Sequence, residues 1–334
     1  MPRRLYTAFA LACLLLAPAA CGRGGGDSAG TRVSRLLIAV VPKGTAQEFW
    51  KGVHGGALRA GRELDVDILW QGPLREDDRE EQIRLVDSVR TRGVSGILLS
   101  PLDDKALRRP VSDATRSGIP VVIFDSRLDS RDYVSLIETD NYKGGRMAGE
   151  HLASLLGGKG PVIMLRLQEG SASTTQREQG FLDAVATYPG ITVVSSNQYA
   201  GPTSEGAYRG SENLLAAWRA NAGGVAGIFT PNETTTFGML RALQNANLAG
   251  RIRLVGFDSS DKVLQGMRDG QVDAVVVQNP VAMGYLGVKT MVRHLRGEKV
   301  DATIDTGATL VTAQNMDHPD LRERLHPGEA LPGR

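Results

Sequence analysis

Residues 36–50 read LLIAVVPKGTAQEFW. The run Leu36–Val41 is aliphatic throughout, which is typical of a short strand buried on both faces of a sheet. A polar turn follows it, and a helical pattern of apolar residues extends from Glu48 to Leu64. This strand–turn–helix unit predicts an α/β protein in which helices cover a parallel sheet.

The same alternation continues along most of the chain. Further strands are predicted at Val66–Trp70, Gly96–Leu99, Pro120–Phe124, Val162–Leu165, Thr192–Ser196, Val225–Phe229, Arg253–Phe257 and Val272–Val277. The series pauses and resumes after Asp140, and 334 residues exceed one ordinary hydrophobic core. We therefore expect two doubly wound parallel-sheet lobes. Ligands of such sheets bind beyond the carboxyl ends of the strands, so the residues that follow each strand are the candidates for a site.

The charge of the chain argues against two classes of partner. The sequence has 39 Lys and Arg residues and 37 Asp and Glu residues, a formal net charge of +2. Arg3 and Arg4 belong to the leader described next, so the remainder is balanced. A chain whose positive and negative charges balance lacks the excess of basic residues with which proteins bind nucleic acid or anionic lipid. We expect the folded body to bind neither.

Residues 1–20 have the layout of a secretory signal peptide. Two arginines precede an uncharged apolar run from Tyr6 to Leu16, and small residues follow it. The run is too short to span a bilayer. Because Ala19 and Ala20 lead directly to Cys21, the segment resembles a bacterial lipoprotein signal, which implies cleavage before Cys21 and lipidation of that cysteine.

The leader has one departure from the lipoprotein pattern. Pro18 stands where an aliphatic residue is usual, so ordinary secretion with an unmodified Cys21 stays the alternative. Residues 21–35 are rich in glycine and predict a flexible tether. No later segment is apolar and long enough for a transmembrane helix. We expect an exported protein, in the periplasm or on the outer face of the cytoplasmic membrane, that touches the membrane only through a lipid anchor.

The motifs of the common enzyme and nucleotide-binding classes are absent. No strand leads into a Gly-x-Gly-x-x-Gly turn, and the glycine cluster at 157–160 precedes a strand and lacks the Ser or Thr of a P-loop. The five histidines are scattered, and the two cysteines, Cys13 and Cys21, precede the folded body. We therefore expect no enzymatic activity, no cofactor, no metal site and no disulfide.

Polar and aromatic side chains follow the predicted strands instead. They include Lys43, Gln47, Phe49, Trp50, Asp125, Ser126, Arg177, Asn232, Asp258 and Gln278. A carboxylate can accept hydrogen bonds from two vicinal hydroxyls, and arginine or asparagine can donate to their oxygens. Flat aromatic rings cover the C–H faces of the same kind of molecule. The set predicts a polyhydroxylated ligand.

These motifs, in their order and spacing, resemble the periplasmic sugar-binding proteins of the ribose-binding type, the substrate-binding subunits of ABC importers. The resemblance extends from Leu36 to Val311. It rests on Phe49-Trp50, Ile119–Val122 before Asp125, Thr139-Asp140-Asn141, Arg177–Phe181, Val255–Asp258 and Val276–Gln278. Together these motifs are specific, although each alone is weak.

The resemblance implies a site, a domain division and partners. Its ligand positions correspond to Gln47, Phe49, Trp50, Asp125, Arg177, Asn232, Phe257, Asp258 and Gln278. Three hinge crossings would place residues 36–139 and 279–307 in one lobe and residues 140–278 and 308–318 in the other, with a tail at 319–334. It also implies that the lobes close on a sugar and deliver it to an ABC permease. We expect a monomer.

Three positions depart from the pattern of ribose binders. Lys43 stands where they have a small hydroxyl residue, Ser126 where they have arginine, and Pro202 where an aromatic ring would complete the stack. We therefore include Lys43 and Ser126 in the predicted site and expect a ligand other than ribose. Another pentose, a hexose, a polyol or a cyclitol fits, and the cation of Lys43 leaves a sugar acid open.

Some interpretations stay open on the sequence alone. Asp140 and Asn141 are interpreted mainly as a hinge and helix cap, and Trp70 is a candidate for the rim of the cleft. A repressor of the lactose-repressor type shares the fold but needs an N-terminal DNA-binding domain, whose place the leader takes. The alternative function is sensing of a small polar signal, such as autoinducer-2, for a chemoreceptor or sensor kinase.

Overall fold

The computed structural model describes residues 35–220 and 224–332. The predicted signal peptide, the predicted lipidation site at Cys21 and all of the predicted tether except Arg35 lie outside the described residues. Within those residues, none of the helices combines the length and the apolar character that a membrane crossing requires.

The described residues form twelve strands and ten α-helices. The strands are β1 (Leu37–Val41), β2 (Asp67–Trp70), β3 (Gly96–Leu99), β4 (Val121–Phe124), β5 (Ser135–Glu138), β6 (Lys159–Arg166), β7 (Gly190–Tyr199), β8 (Gly227–Phe229), β9 (Arg253–Phe257), β10 (Ala274–Val277), β11 (Thr303–Asp305) and β12 (Thr309–Thr312). The helices are α1 (Glu48–Leu64), α2 (Arg79–Thr91), α3 (Arg108–Arg116), α4 (Asn141–Leu155), α5 (Ala172–Val185), α6 (Ser204–Ala220), α7 (Glu233–Asn245), α8 (Asp261–Arg268), α9 (Pro280–Leu295) and α10 (Arg322–Leu325).

Two six-stranded sheets organise the molecule. Their strand orders are β11-β5-β4-β3-β1-β2 and β12-β10-β9-β8-β6-β7. Each neighbouring pair is parallel except β10 with β12, which is antiparallel. Ile38 and Val40 belong to one apolar cluster and Ala39 and Val41 to another, so β1 is buried on both faces. The predicted architecture of two parallel-sheet α/β lobes is confirmed.

Three strands were missed by the sequence analysis, namely β5, β11 and β12. In β5 a polar residue stands at each end of the apolar pair Leu136-Ile137, so the sequence shows no clear strand pattern. Both polar residues are buried in the fold, where Ser135 donates to the Asp301 carbonyl at 2.7 Å and Glu138 pairs with Arg127. Both β11 and β12 are short edge strands with mixed polarity, which gives no clear period of two. Pairing with neighbouring strands, rather than a local hydrophobic pattern, defines these three strands.

The chain passes between the two sheets at three places. It leaves the first sheet after β5, returns after β10 and leaves again between β11 and β12. At the first crossing Asp140 caps α4, since its side chain accepts from the Lys143 N–H at 2.9 Å. The Asp140 N–H also donates to Asp305 at 3.2 Å, which ties the first crossing to the third. The exact bounds of the two lobes stay a prediction.

Glycines allow two helices of the first lobe to approach closely. A Cβ built at Gly56 would lie 2.0 Å from the Val281 carbonyl oxygen, and one at Gly284 would lie 2.0 Å from that of Val53. The backbones of α1 and α9 therefore touch where these glycines lie. The contact holds α1, whose first turn carries part of the site described below, against α9.

The segment after β12 contacts both lobes. Pro327 and Ala330 lie against Gly52 and Gly55 of α1, so closely that a Cβ on either glycine would clash. On the other lobe, the hydroxyl of Ser259 donates to the Leu325 carbonyl at 2.9 Å. The segment predicted only as a tail therefore contacts both lobes of the folded body.

Candidate functional site

One polar cavity lies where the carboxyl ends of strands from both sheets meet. Residues that follow β1, β2 and β4 form one side, and residues that follow β6, β8, β9 and β10 form the other. It is lined by Lys43, Gln47, Phe49, Trp50, Glu76, Asp125, Leu167, Ser171, Ser173, Thr174, Arg177, Asn232, Glu233, Thr234, Asp258 and Gln278. The empty space between these residues, counted out into the solvent at its opening, is about 380 Å³.

Nine of the eleven predicted ligand residues line this cavity. The other two, Ser126 and Phe257, lie behind the lining residues. The Ser126 hydroxyl accepts from the Ser173 N–H at 3.1 Å, and the Arg177 guanidinium lies 3.9 Å from the centroid of the Phe257 ring. Both residues therefore support a lining residue. Whether each of the eleven contacts a ligand stays a prediction.

Lys43 joins the two sides of the cavity. Its Nζ lies 3.0 Å from Oδ2 of Asp125, on its own side. Across the cavity the same amine donates to the hydroxyls of Ser173 and Ser171, at 3.0 and 3.5 Å. Lys43 is only 4% exposed, so water screens these contacts little. Because Ser126 is uncharged, Lys43 supplies the cation beside Asp125.

Further contacts show that the lobes are closed on each other. The side-chain amide of Gln168 donates to the Glu76 carbonyl at 3.0 Å. The Asp104 N–H donates to the Gly170 carbonyl, also at 3.0 Å. Each of these bonds joins a residue of the first-sheet side to one of the second-sheet side, so the cavity is enclosed between two lobes in contact.

Asp125 and Asp258 occupy corresponding places at the ends of β4 and β9. Both have left-handed backbones, with φ of 61° and 62°. Aspartate tolerates this conformation better than most residues, and such strain concentrates at functional sites. The two N–H groups donate to the carbonyls of Ile137 and Val276, both at 2.8 Å, which hold the sharp turns. The turns direct both carboxylates into the cavity.

Arg177 is held on three sides beneath the cavity. Its Nε donates to Asn141 at 2.8 Å and its Nη1 to the Pro231 carbonyl at 2.9 Å, above the Phe257 ring. The side chain is 2% exposed, so Arg177 is a buried residue and not a surface residue. Burial lowers the pKa of Arg177, and the carboxylate of Asp258 acts in the opposite direction. The remaining nitrogen, Nη2, has no hydrogen-bond partner among the described residues.

Asp258 is the acid that faces Arg177. Its Oδ2 lies 3.5 Å from Arg177 Nη1, and Gln278 donates to its two oxygens at 3.0 and 3.2 Å. Burial raises the pKa of Asp258 to about 6, against the lowering effects of Arg177 and Gln278. The carboxyl group is therefore mostly ionised at pH 7 and accepts hydrogen bonds.

An aromatic wall closes the first-lobe side. Phe49 and Trp50 meet edge to face with ring centroids 4.8 Å apart, and Trp50 meets Phe124 at 6.2 Å. The Trp50 indole N–H donates to a Glu76 oxygen at 2.5 Å, which fixes the ring. Trp70, the candidate for the rim of the cleft, is not among the residues that line the cavity. Its ring stacks on that of His54, with the ring centroids 4.3 Å apart.

Sequence reasoning missed seven lining residues. They are Glu76, Leu167, Ser171, Ser173, Thr174, Glu233 and Thr234. Residues 77–80 form an exposed helix start, in which Asp78 caps α2 by accepting from the Glu81 N–H at 2.9 Å. Glu76, just before this start, is buried instead. Glu233 could have been predicted from the sequence, because it directly follows Asn232 at the end of a predicted strand.

Several buried polar atoms of the site have no hydrogen-bond partner among the described residues. They are Oε1 of Gln47, Nη2 of Arg177, Oε2 of Glu233 and Oε1 of Gln278, with Nδ2 of Asn141 behind Arg177. Buried polar groups in native proteins are almost always hydrogen-bonded. The mixture of donors and acceptors suits a molecule whose hydroxyl groups both donate and accept.

The sequence matches the periplasmic binding protein domain over residues 38–299. The chain belongs to the periplasmic binding protein family. This binding protein is 31% identical over 264 residues to the ribose import binding protein of Haemophilus influenzae, an alignment that covers 79% of this chain and 87% of the relative. It is thus of the ribose-binding type that serves ABC importers, which confirms the resemblance.

Solved structures support the same family assignment. The binding protein superposes with a TM-score of 0.82 on a carbohydrate transporter solute-binding protein of Agrobacterium radiobacter in complex with D-arabinose, with 34% identity over 88% of this chain and 99% of that one. A solute-binding protein of Agrobacterium vitis with bound D-fucose gives 0.78, with 35% identity over 86% and 99%. These relatives are solute-binding proteins of transporters that hold a bound sugar, and the binding protein, like them, is not an enzyme. The proteins of its family are periplasmic.

Proposed function

We propose that this periplasmic binding protein is an exported lipoprotein that encloses a monosaccharide between its two lobes and delivers it to an ABC import permease. The observation that carries the proposal is the enclosed cavity, whose lining presents unpartnered donors and acceptors beside an aromatic wall. Ligand contacts with both lobes stabilise the closed form, which is the form that a permease would recognise.

The proposed contacts divide by chemistry. Asp125 and Asp258 accept hydrogen bonds from ligand hydroxyls, while Arg177 and the side-chain amide N–H of Asn232 donate to ligand oxygens. The Asn232 side-chain oxygen already accepts from the backbone N–H and the hydroxyl of Thr235. Phe49 and Trp50 cover the apolar face of the ring. The relatives named above hold D-arabinose and D-fucose, which supports a pentose or hexose as the ligand. No observation favours the sensory alternative.

A thermal-shift panel of pentoses, hexoses, polyols and cyclitols tests the proposed function. A ligand present at a hundred times its Kd stabilises the folded protein by about 2.7 kcal/mol, which raises the unfolding midpoint measurably. We expect at least one monosaccharide to do this, and mass spectrometry of ligand released by denaturation to recover it unmodified. A panel without any stabilising sugar, or turnover of the bound sugar, contradicts the proposal.

The lipid anchor is tested separately. Cys21→Ala removes the sulfur to which the lipid would be attached, so the variant should move from the membrane fraction to the soluble fraction of the cell envelope. Cell fractionation followed by immunoblotting measures the distribution, with the unsubstituted protein as the control. An unchanged membrane fraction would show that Cys21 is not the anchor, without bearing on sugar binding.

A further inference from the structure

A segment near the end of the described chain crosses from one lobe to the other beside the hinge. This segment, residues 319–330, is called the strap and consists of α10 between two short 3₁₀ turns. The Arg324 side chain of the strap donates at 3.4 Å to the carbonyl of Gly307, which lies between β11 and β12 at the third crossing. The match to the family ends at residue 299, so the family assignment gives the strap no role.

The strap is anchored in the second lobe through Leu325. This side chain is 3% exposed and belongs to the same apolar cluster as Leu264 of α8 and Val277 of β10. The Leu325 carbonyl also accepts a hydrogen bond from the hydroxyl of Ser259 at 2.9 Å. Because Ser259 directly follows Asp258, the anchor lies next to a residue that lines the cavity.

The other end of the strap is docked on α1 of the first lobe. A Cβ built at Gly52 would lie 2.5 Å from Cβ of Pro327, and one built at Gly55 would lie 2.6 Å from the carbonyl carbon and oxygen of Ala330. Glycine at both positions therefore leaves a notch that the strap fills, and Pro327 is buried in it. The notch follows the aromatic wall by one turn, on the same helix.

The link between the two ends is short. A single residue separates Leu325, in the second lobe, from Pro327, on the first, and two extended residues span at most about 7 Å. Under this link lies a crevice lined by Glu48 of α1, Asp261 of α8 and residues 325–329 of the strap. Opening that moves α1 away from β9 by more than the reach of the link must pull the strap from its notch or from its anchor.

We propose that the strap joins the lobes in series and stabilises the closed form, so that Gly52, Gly55 and Leu325 are positioning residues for sugar binding. None of the three is among the residues that line the cavity. The inference rests on the proposed function, because it concerns the closing of the same site. Contacts that are complete only in the closed form add to those of the sugar, so their loss raises the Kd, mainly through a faster koff.

Two variants of the full chain release the strap at opposite ends. Gly55→Ala places a methyl group against the backbone of Ala330, and Leu325→Ala removes the anchor. We expect each to raise the Kd about tenfold for D-arabinose, D-fucose or D-ribose, whichever the parent binds most tightly in calorimetry. A link in series fails when either end fails, so the double variant should also lose about tenfold. Independent effects would multiply to about a hundredfold.

Matched substitutions on α6 control for damage to the lobes. Leu215→Ala truncates another leucine of the second-lobe cluster that is 3% exposed, so it should lower the stability and keep the Kd. Gly210→Ala adds a methyl group to a helix away from the strap and should also keep it. Circular dichroism checks folding, and Gly55→Ala decides if Leu325→Ala is unfolded. A folded Gly55→Ala variant with the parental Kd overturns the inference, and so does a double variant whose effects multiply.

Small-angle X-ray scattering tests the strap without sugar. Release of the strap should shift the sugar-free protein towards open forms, so Gly55→Ala should have a larger radius of gyration than the parent and Leu215→Ala. Equal radii of gyration overturn the inference. Failure of every sugar in the thermal-shift panel contradicts the proposed function instead, and the scattering result then decides the role of the strap alone.

Discussion

Arg177→Ala should weaken sugar binding by about tenfold to several hundredfold, since each lost hydrogen bond to a charged group is worth roughly 1.5–3 kcal/mol. The guanidinium is buried with one nitrogen free for a ligand, and Asn141 and the Pro231 carbonyl hold the other two. Calorimetry with the sugar identified by the thermal-shift panel measures the change. The same substitution leaves Asp258 without its cation and should also lower the free energy of unfolding.

Two further variants make this result interpretable. Arg177→Lys keeps the charge but not the planar fork, so we expect a Kd between those of the parent and the alanine variant. Arg209→Ala removes an exposed arginine that pairs with Glu205 on α6, away from the cavity lining, and should leave the Kd unchanged. Circular dichroism must show the alanine variant folded. If a folded Arg177→Ala bound like the parent, the ligand would have to lie elsewhere.

Gly284→Ala should lower the free energy of unfolding by roughly 2–3 kcal/mol, because overpacking a close contact outweighs the gain of up to about 1 kcal/mol in helix propensity. The added methyl would meet the Val53 carbonyl at 2.0 Å, and that oxygen belongs to the backbone of α1, which cannot rotate away. Urea denaturation followed by circular dichroism measures the change, with the slope of the transition checked for constancy.

A glycine in a less crowded helix provides the control for this substitution. On α6, a Cβ at Gly210 would come no nearer than 3.2 Å to its closest neighbour, Ala200, so Gly210→Ala should change the stability by less than about 1 kcal/mol. Equal stability of the Gly284→Ala variant and the parent would mean that α1 and α9 do not approach each other as closely as described.

The two-lobe architecture could be predicted from sequence because its main strands are almost purely apolar. In β1 the alternate residues are buried on opposite faces, and such a strand has no polar side that could suggest another fold class. The edge strands could not be predicted in this way. Thr303–Asp305 is short and half polar, and its pairing with β5 follows from the tertiary structure.

The site was predicted best where a strand end supplies the residue. Asp125 and Asp258 follow strands directly, and the sheet topology alone brings them to one cavity. Glu76 could not be found, because it lies in the loop before α2 among residues that are solvated, and only the fold turns it inward. Ser126 follows Asp125, yet the left-handed turn at Asp125 places it behind the lining.

The order in which the strands are synthesised affects how the chain folds after export. Strand β11 pairs with β5, and β12 pairs with β10, so Thr303–Asp305 and Thr309–Thr312 complete the edges of both sheets. A polypeptide that emerges amino end first leaves the hydrogen-bonding groups of β5 and β10 uncovered until these last strands arrive. Unpaired strand edges template aggregation. A nascent or truncated chain that stops before Thr303 therefore leaves β5 and β10, whose residues are all buried in the complete fold, as uncovered edges that favour aggregation.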